Sequence, residues 1–181
     1  MNRLRNFGFL LKDVSRLSGL NFEREAVGLN LTLAQCKVLI YLQRNEGISQ
    51  VRLAERTDTD PMTLVRTLDR MERDGLIERR QDPADRRARR LFMTTAAEPV
   101  VAEIWRIAAR ARAASLAGLS PAERVQLVSL LERVHDNLTT LVPGAEADAP
   151  LCPPPEQAEE ESPPSIAELP ARRTRSRKLS P

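Results

Sequence analysis

The chain has 181 residues, with 28 Lys+Arg against 25 Asp+Glu and a net charge of +3. That length holds one domain of ordinary size plus further segments, and its core needs no disulfides. Cys36 lies in an apolar run and Cys152 in a proline-rich stretch, which gives neither a disulfide framework nor a metal-ligand spacing and fits a reducing cytosol.

Charges at Arg3, Arg5, Lys12 and Asp13 interrupt any signal-peptide core or membrane span at the N-terminus, so a cytoplasmic protein with no membrane partner is expected. From Arg3 to about Ala26, Leu4, Phe7, Leu11, Val14 and Leu17 recur at three- and four-residue steps, the pattern of an amphipathic helix. Thr32 is placed to cap a second helix over Leu33 to Leu42, which ends at Asn45-Glu46-Gly47.

Ser49 caps a short third helix carrying Val51, Leu53 and Ala54 and closing near Thr57-Asp58-Thr59. Asp60 as N-cap and Pro61 at the first helical position start a fourth, which runs through Arg73 to a stop at Gly75. Leu64, Val65, Leu68 and Met71 form its expected inward face, leaving Thr63, Arg66, Thr67 and Arg70 as a polar and cationic set suited to the major groove of DNA.

Next, Leu76-Ile77 and Leu91-Phe92-Met93 pair as short strands around the turn residues Asp82-Pro83-Ala84-Asp85. The hairpin carries Arg79, Arg80, Arg86, Arg87, Arg89 and Arg90 against Glu78, Asp82 and Asp85 only. Arginine forks match phosphate oxygens in pairs, so such a ribbon favours a polyanion, although most charge runs are merely solvated. Two short helices joined by a tight turn and followed by this hairpin make the pattern of a winged helix-turn-helix.

After Thr94-Thr95, a long alanine-rich helix carries Val101, Ile104, Ala108 and Ala111, with Pro99 in its first turns. Ser120-Pro121 starts a last helix in which Leu127, Leu131, Val134, Leu138 and Leu141 alternate four- and three-residue spacings, a helix-packing seam. The terminal helices hold more apolar stripe than a small winged core covers. The expected solution is a homodimer whose interface includes Leu4, Phe7, Leu11 and Val14 with Leu127, Leu131, Val134 and Leu138, the alternative being intramolecular burial. From Pro143 onward there are nine prolines in 39 residues, an acidic stretch from Glu146 to Glu168 and a basic end, Arg172 to Lys178. This composition predicts disorder. Its basic end is read as adding phosphate contacts or folding back on the acidic half, the alternative being an inert solubilising tail.

Catalysis has little support. His135 is the only histidine and stands near no candidate nucleophile, and neither a phosphate-cradling glycine loop nor paired metal ligands occur, so no enzyme, cofactor or metal is expected. Cys36 is read as a small core residue, since Lys37 alone does not make the electropositive, accessible setting of a reactive thiolate.

Leu31-Thr-Leu-Ala-Gln35, Leu53-Ala-Glu55, Leu64-Val-Arg-Thr-Leu-Asp-Arg-Met-Glu72, Gly75-Leu-Ile-Glu-Arg79 and Asp82-Pro-Ala-Asp-Arg-Arg87 together resemble the MarR family, in order and across about residues 5–142. The segments Leu64-Val-Arg-Thr-Leu68, Asp85-Arg-Arg-Ala-Arg-Arg90 and Ala97-Glu-Pro99 resemble its SlyA-like branch most. The resemblance implies a mainly α fold with a small β-hairpin: an N-terminal dimerisation helix (1–30), a winged helix-turn-helix (31–95), C-terminal dimerisation helices (96–142) and the tail (143–181). It further implies a nucleoid-associated homodimer on a pseudo-palindromic operator in double-stranded DNA, regulated by a small phenolic or carboxylate effector whose pocket the sequence does not identify. The DNA-contacting residues would be Pro61, Thr63, Arg66, Thr67 and Arg70 on the recognition helix and Asp85, Arg86, Arg87 and Arg89 on the wing. By similarity, Arg87 would enter the minor groove, oriented by Asp85, and Arg86 would touch backbone. The competing reading is a winged-helix module that recruits a protein partner through its charged tail.

Overall fold

The computed structural model describes residues 3–83 and 89–142, with side chains from Arg5 onward. The side chain of Leu4, the wing residues Asp85, Arg86 and Arg87, Cys152 and the tail expectation lie outside the described residues. A short 3-10 turn, Arg3–Asn6, leads into α1 (Phe7–Glu25). It is followed by α2 (Leu33–Arg44), β1 (Ile48–Ser49), α3 (Gln50–Thr57), α4 (Pro61–Arg73), β2 (Ile77–Gln81), β3 (Arg89–Met93), α5 (Glu98–Ser115) and α6 (Pro121–Leu141).

Local chemistry fixes the helix starts. The Gln35 amide donates to Thr32 Oγ1 at 3.3 Å while the Thr32 amide donates to Gln35 Oε1 at 2.9 Å, a reciprocal cap that satisfies two otherwise free N–H groups of α2. Ser120 and Glu123 repeat the arrangement at α6, with Pro121 in its first turn. The expected caps at Thr32, Ser49 and Asp60 are all made, and α6 starts at Ser120-Pro121 as expected.

The core is built from Val38, Leu39 and Leu42 of α2, Leu53 of α3, Leu64, Leu68 and Met71 of α4, Ile77 and Leu91 of the sheet, and Val101 and Ile104 of α5. Burying each such side chain contributes about 1.5–3 kcal/mol relative to exposure, which is why these stripes, rather than propensity, hold the short helices in place. Helix α5 buries Val101, Ile104, Ile107 and Ala111, with Ala108 only half-buried. Polar contacts also tie it down, among them Trp105 Nε1 donating to Gln43 Oε1 at 3.0 Å and Asn21 Nδ2 donating to the Ala111 carbonyl at 2.8 Å.

Three details differ from the sequence expectation. The sheet has three strands in the order β1-β3-β2, because Ile48 and Ser49 pair antiparallel with Leu91 and Arg90; two residues are too short to show an alternation. Val51 is 68% exposed, since α3 turns Leu53, Ala54 and Thr57 inward and Val51 away from them. Val65 is 36% exposed, one residue round from the buried Leu64 and beside, not under, the inward stripe.

Helices α1 and α6 are unlike the rest. Neither has a single buried residue, and Phe7, Leu11, Val14 and Leu17 of α1 and Leu127, Leu131 and Leu138 of α6 are exposed in the isolated chain, with Val134 half-buried. Among the described residues, no helix is long and apolar enough to cross a membrane.

Candidate nucleic-acid interface

The turn between α3 and α4 is set by Asp58, whose φ of 49° and ψ of 48° place it in the left-handed region that aspartate tolerates better than most side chains. The Thr59 amide donates back to the Ala54 carbonyl at 3.0 Å, and the buried Thr57 hydroxyl donates to the Leu53 carbonyl at 2.8 Å, so the turn leaves little unsatisfied. Asp60 Oδ1 then accepts from the Thr63 amide at 3.0 Å, and Pro61 occupies the first turn of α4. These contacts fix where α4 starts.

With Leu64, Leu68 and Met71 buried, α4 presents Pro61, Met62, Thr63, Arg66, Arg70 and Arg73 to solvent. Thr67 is half-buried and its hydroxyl donates to the Thr63 carbonyl at 2.9 Å, so it faces solvent less fully than Thr63, Arg66 and Arg70. Arg70 lies 3.8 Å from Asp74 in an exposed pair that holds it weakly.

The helix ends in a glycine-dependent stop. Gly75 has φ +72°, its amide donates to the Glu72 carbonyl at 3.0 Å, and the Leu76 amide donates to the Met71 carbonyl at 2.9 Å. This pair of bonds satisfies two terminal carbonyls of α4 and turns the chain directly into β2.

In the wing, Ile77 pairs with Met93, Glu78 with Phe92, Arg79 with Leu91, Arg80 with Arg90 and Gln81 with Arg89. Side chains alternate along a strand, so Ile77, Arg79 and Leu91 share the inner face and Arg80, Arg90 and Phe92 the outer one. Two arginines directly opposite each other repel, and the wing compensates locally. Arg80 is paired with Glu78 and lies 4.3 Å over the Phe92 ring, while Arg90 Nε donates to Asp82 Oδ2 at 2.7 Å.

Arg79 turns inward instead. Its guanidinium reaches Asp69 Oδ1 at 2.7 Å and Glu72 Oε2 at 2.6 Å on α4, and its side chain is only 10% exposed. Of the six arginines that the sequence places on the hairpin, the four described ones divide: Arg89 is exposed, Arg80 and Arg90 are paired on the outer face, and Arg79 is bonded to the helix. Counting by two from Ile77 is the sequence signal that separates Arg79 from the rest.

Cys36 is buried in α2, and burial pushes its thiol up to about 11. At neutral pH it is a protonated core side chain. No cluster of three or more His, Cys, Asp or Glu capable of holding a metal occurs among the described residues.

A model of the MarR family matches residues 31–88, from the α2 cap to the wing. The MarR crystal structure is 31% identical, with a TM-score of 0.66 over 74% of this chain and 98% of its own. BpsR of Bordetella bronchiseptica, whose DNA binding is regulated by 6-hydroxynicotinic acid, is 30% identical, with a TM-score of 0.64 over 72% and 99%. A mutant MarR from E. coli complexed with operator DNA is 25% identical, with a TM-score of 0.63 over 74% and 96%.

Proposed function

The chain belongs to the MarR family of transcriptional regulators, and on that premise we propose that it acts as a cytoplasmic, nucleoid-associated homodimer bound to a pseudo-palindromic operator. A regulator of this family works by binding and not by catalysis. The observation that carries the reading is the outward face of α4, where Thr63, Arg66 and Arg70 project beside an arginine-bearing wing. A B-DNA major groove is about 12 Å wide and admits one helix, whose short hydroxyl and long guanidinium side chains reach base edges and phosphates.

In this reading Thr63 and Arg66 contact bases, Pro61, Thr67 and Arg70 border them, and Arg89 meets the backbone. Arg87, oriented by Asp85, enters the adjacent minor groove, where a narrow A·T-rich segment concentrates negative potential, and Arg86 touches phosphate. The exposed stripes of α1 and α6 are covered by a second copy of the chain, which brings two recognition helices to half-sites one helical turn apart. A small aromatic or carboxylate effector shifts the dimer between a DNA-competent and an incompetent geometry by binding the two unequally, a reading that the likeness to BpsR supports.

Fluorescence anisotropy against the DNA upstream of its own coding sequence, with a scrambled duplex and an Arg87→Ala variant alongside at two salt concentrations, tests this. Tight, sequence-dependent binding weakened in the variant is the expected result. Equal, weak and salt-labile binding to both duplexes would reject it in favour of a protein-interaction module.

A further inference from the structure

The least exposed of the described wing arginines is the one turned away from the wing's outer face. Arg79 sits in β2, opposite Leu91 of β3, yet its guanidinium is bonded to two carboxylates of α4, Asp69 at 2.7 Å and Glu72 at 2.6 Å. Its own amide also donates to Glu72 Oε1, at 3.2 Å, so Glu72 is held by backbone and side chain of the same residue. Asp69 and Glu72 lie one turn apart and so stand on the same side of the recognition helix. Their side chains are 53% and 40% exposed, against 10% for Arg79.

Three consequences follow from that geometry. A planar fork that spans two carboxylates fixes direction as well as distance, which a single ammonium does not. The contact joins the wing to the middle and end of α4, beyond the Gly75 turn that links them covalently. It also offsets one of the two negative charges that Asp69 and Glu72 place on the flank of α4. Exposed ion pairs contribute little, but a guanidinium withdrawn from water depends on its partners, so this one resists opening more than its neighbours.

We propose that Arg79 is the positioning residue that locks the wing onto the recognition helix, so that Arg66 and Arg70 of α4 and Arg89 of the wing meet the duplex as one preset surface. Arg79 touches no nucleotide. The proposal rests on the DNA-binding reading above and adds to it the source of its specificity: a preset angle pays the ordering cost before binding, and only the correct sequence profits from it.

The test uses the full chain, a duplex enriched by the wild type from a random-sequence pool, and a scrambled duplex of equal length. Arg79→Lys keeps the charge but cannot span both carboxylates. It is expected to lower the ratio of specific to scrambled affinity about ten-fold, equivalent to about 1.4 kcal/mol, with scrambled-duplex affinity and salt slope unchanged. The triple variant Asp69→Asn, Glu72→Gln, Arg79→Met removes the lock together with both carboxylates, a net change of one positive charge that strengthens binding to any duplex and so leaves the ratio as the readout. If Arg79 merely offset those carboxylates, the triple variant would keep the wild-type ratio of specific to scrambled affinity, which overturns the proposal; a ratio reduced as in Arg79→Lys upholds it.

Amide hydrogen exchange without DNA provides the independent arm. In Arg79→Lys, the β2 and β3 amides are expected to exchange faster while α4 and the core remain protected, and unchanged wing exchange overturns the lock. Should the wild type enrich no sequence at all, the DNA-binding reading fails by itself, while the exchange arm still decides whether Arg79 holds the wing. Circular dichroism melts accompany both arms, and if Arg79→Lys were to unfold globally, the triple variant decides.

Discussion

Thr94 closes on Gly75: its Oγ1 donates to the Gly75 carbonyl at 2.6 Å, and its amide donates to the Leu76 carbonyl at 3.1 Å. The residue that follows the wing is thereby fastened to the two residues that precede it. Because Leu76 also donates to Met71 in the last turn of α4, the helix end, the β2 start and the β3 exit form one hydrogen-bonded knot. The wing is anchored at its base by this knot and along its length by Arg79.

Thr94→Val keeps the shape and removes the hydroxyl donor. The net worth of one such bond is about 1 kcal/mol, so the variant should melt a few degrees lower in a two-state thermal scan while retaining the wild-type helix signal. An unchanged midpoint would show that the Gly75 carbonyl finds an equivalent partner in water.

Much of this arrangement is legible in the sequence because it is made of local rules. Capping residues, Pro61 and Gly75 mark the helix ends within a residue or two, and the apolar steps of α2, α4 and α5 select the core. What escaped was decided by tertiary contact. Strand β1 exists because β3 offers it an edge, Val51 and Val65 lie just outside stripes whose width the sequence does not state, and Arg79 reads as one more wing arginine until Asp69 and Glu72 are placed beside it. The composition of the hairpin announces a basic ribbon, but the pairing of Arg80 with Glu78 and Arg90 with Asp82 redistributes that charge.

The cap of α6 carries a pH dependence. The Ser120 hydroxyl, followed by the Ser120 amide, holds the Glu123 carboxyl below its ordinary range. A depressed folded value means that the contribution is present above the unfolded carboxyl's titration and is lost as pH falls through the folded one. The start of α6 should therefore fray on acidification below about pH 4, and Glu123→Gln should abolish that step in backbone NMR shifts of residues 120–126. Persistence of the same acid transition in the variant would assign it to another carboxylate.

Cys36 gives the opposite sign. Burial raises its thiol to about 11, so the folded state keeps the proton and the advantage of burying a neutral thiol is full below the ordinary thiol value of about 8.5 and is lost as pH rises through 11. In a Cys152→Ser background, alkylation by iodoacetamide at pH 8 should be slow in the native protein and fast in urea. Rapid native-state alkylation would mean that the α2 core opens readily, and with it the packing of Leu39 and Leu42.

Arg66 and Arg89 should fail in different ways. Arg66 projects from the centre of the exposed face of α4, so Arg66→Ala is expected to cost about 1–3 kcal/mol on the preferred duplex and little on a scrambled one. Arg89 lies exposed at the start of β3, and in the proposed reading it meets the DNA backbone, so Arg89→Ala should weaken both duplexes alike and reduce the salt slope by about one. Equal losses on both duplexes for Arg66→Ala would remove it from base readout.

The uncovered stripes of α1 and α6 make a prediction about assembly that does not depend on DNA. Leu131 stands 42% exposed in the middle of α6, aligned with Leu127 and Leu138, and contributes nothing to the buried core of the single chain. A carboxylate at that position is harmless in a monomer, where water reaches it, and costly in a dimer, where it would be desolvated without a partner. Leu131→Glu should therefore sediment as a monomer at concentrations where the wild type is dimeric, with the winged core still melting cooperatively. Because each copy then reaches only one half-site, operator affinity should fall toward that of the scrambled duplex. A variant that stays dimeric would place the interface elsewhere than the α6 seam, and a wild type that is itself monomeric would leave the apolar stripes of both terminal helices to a different partner.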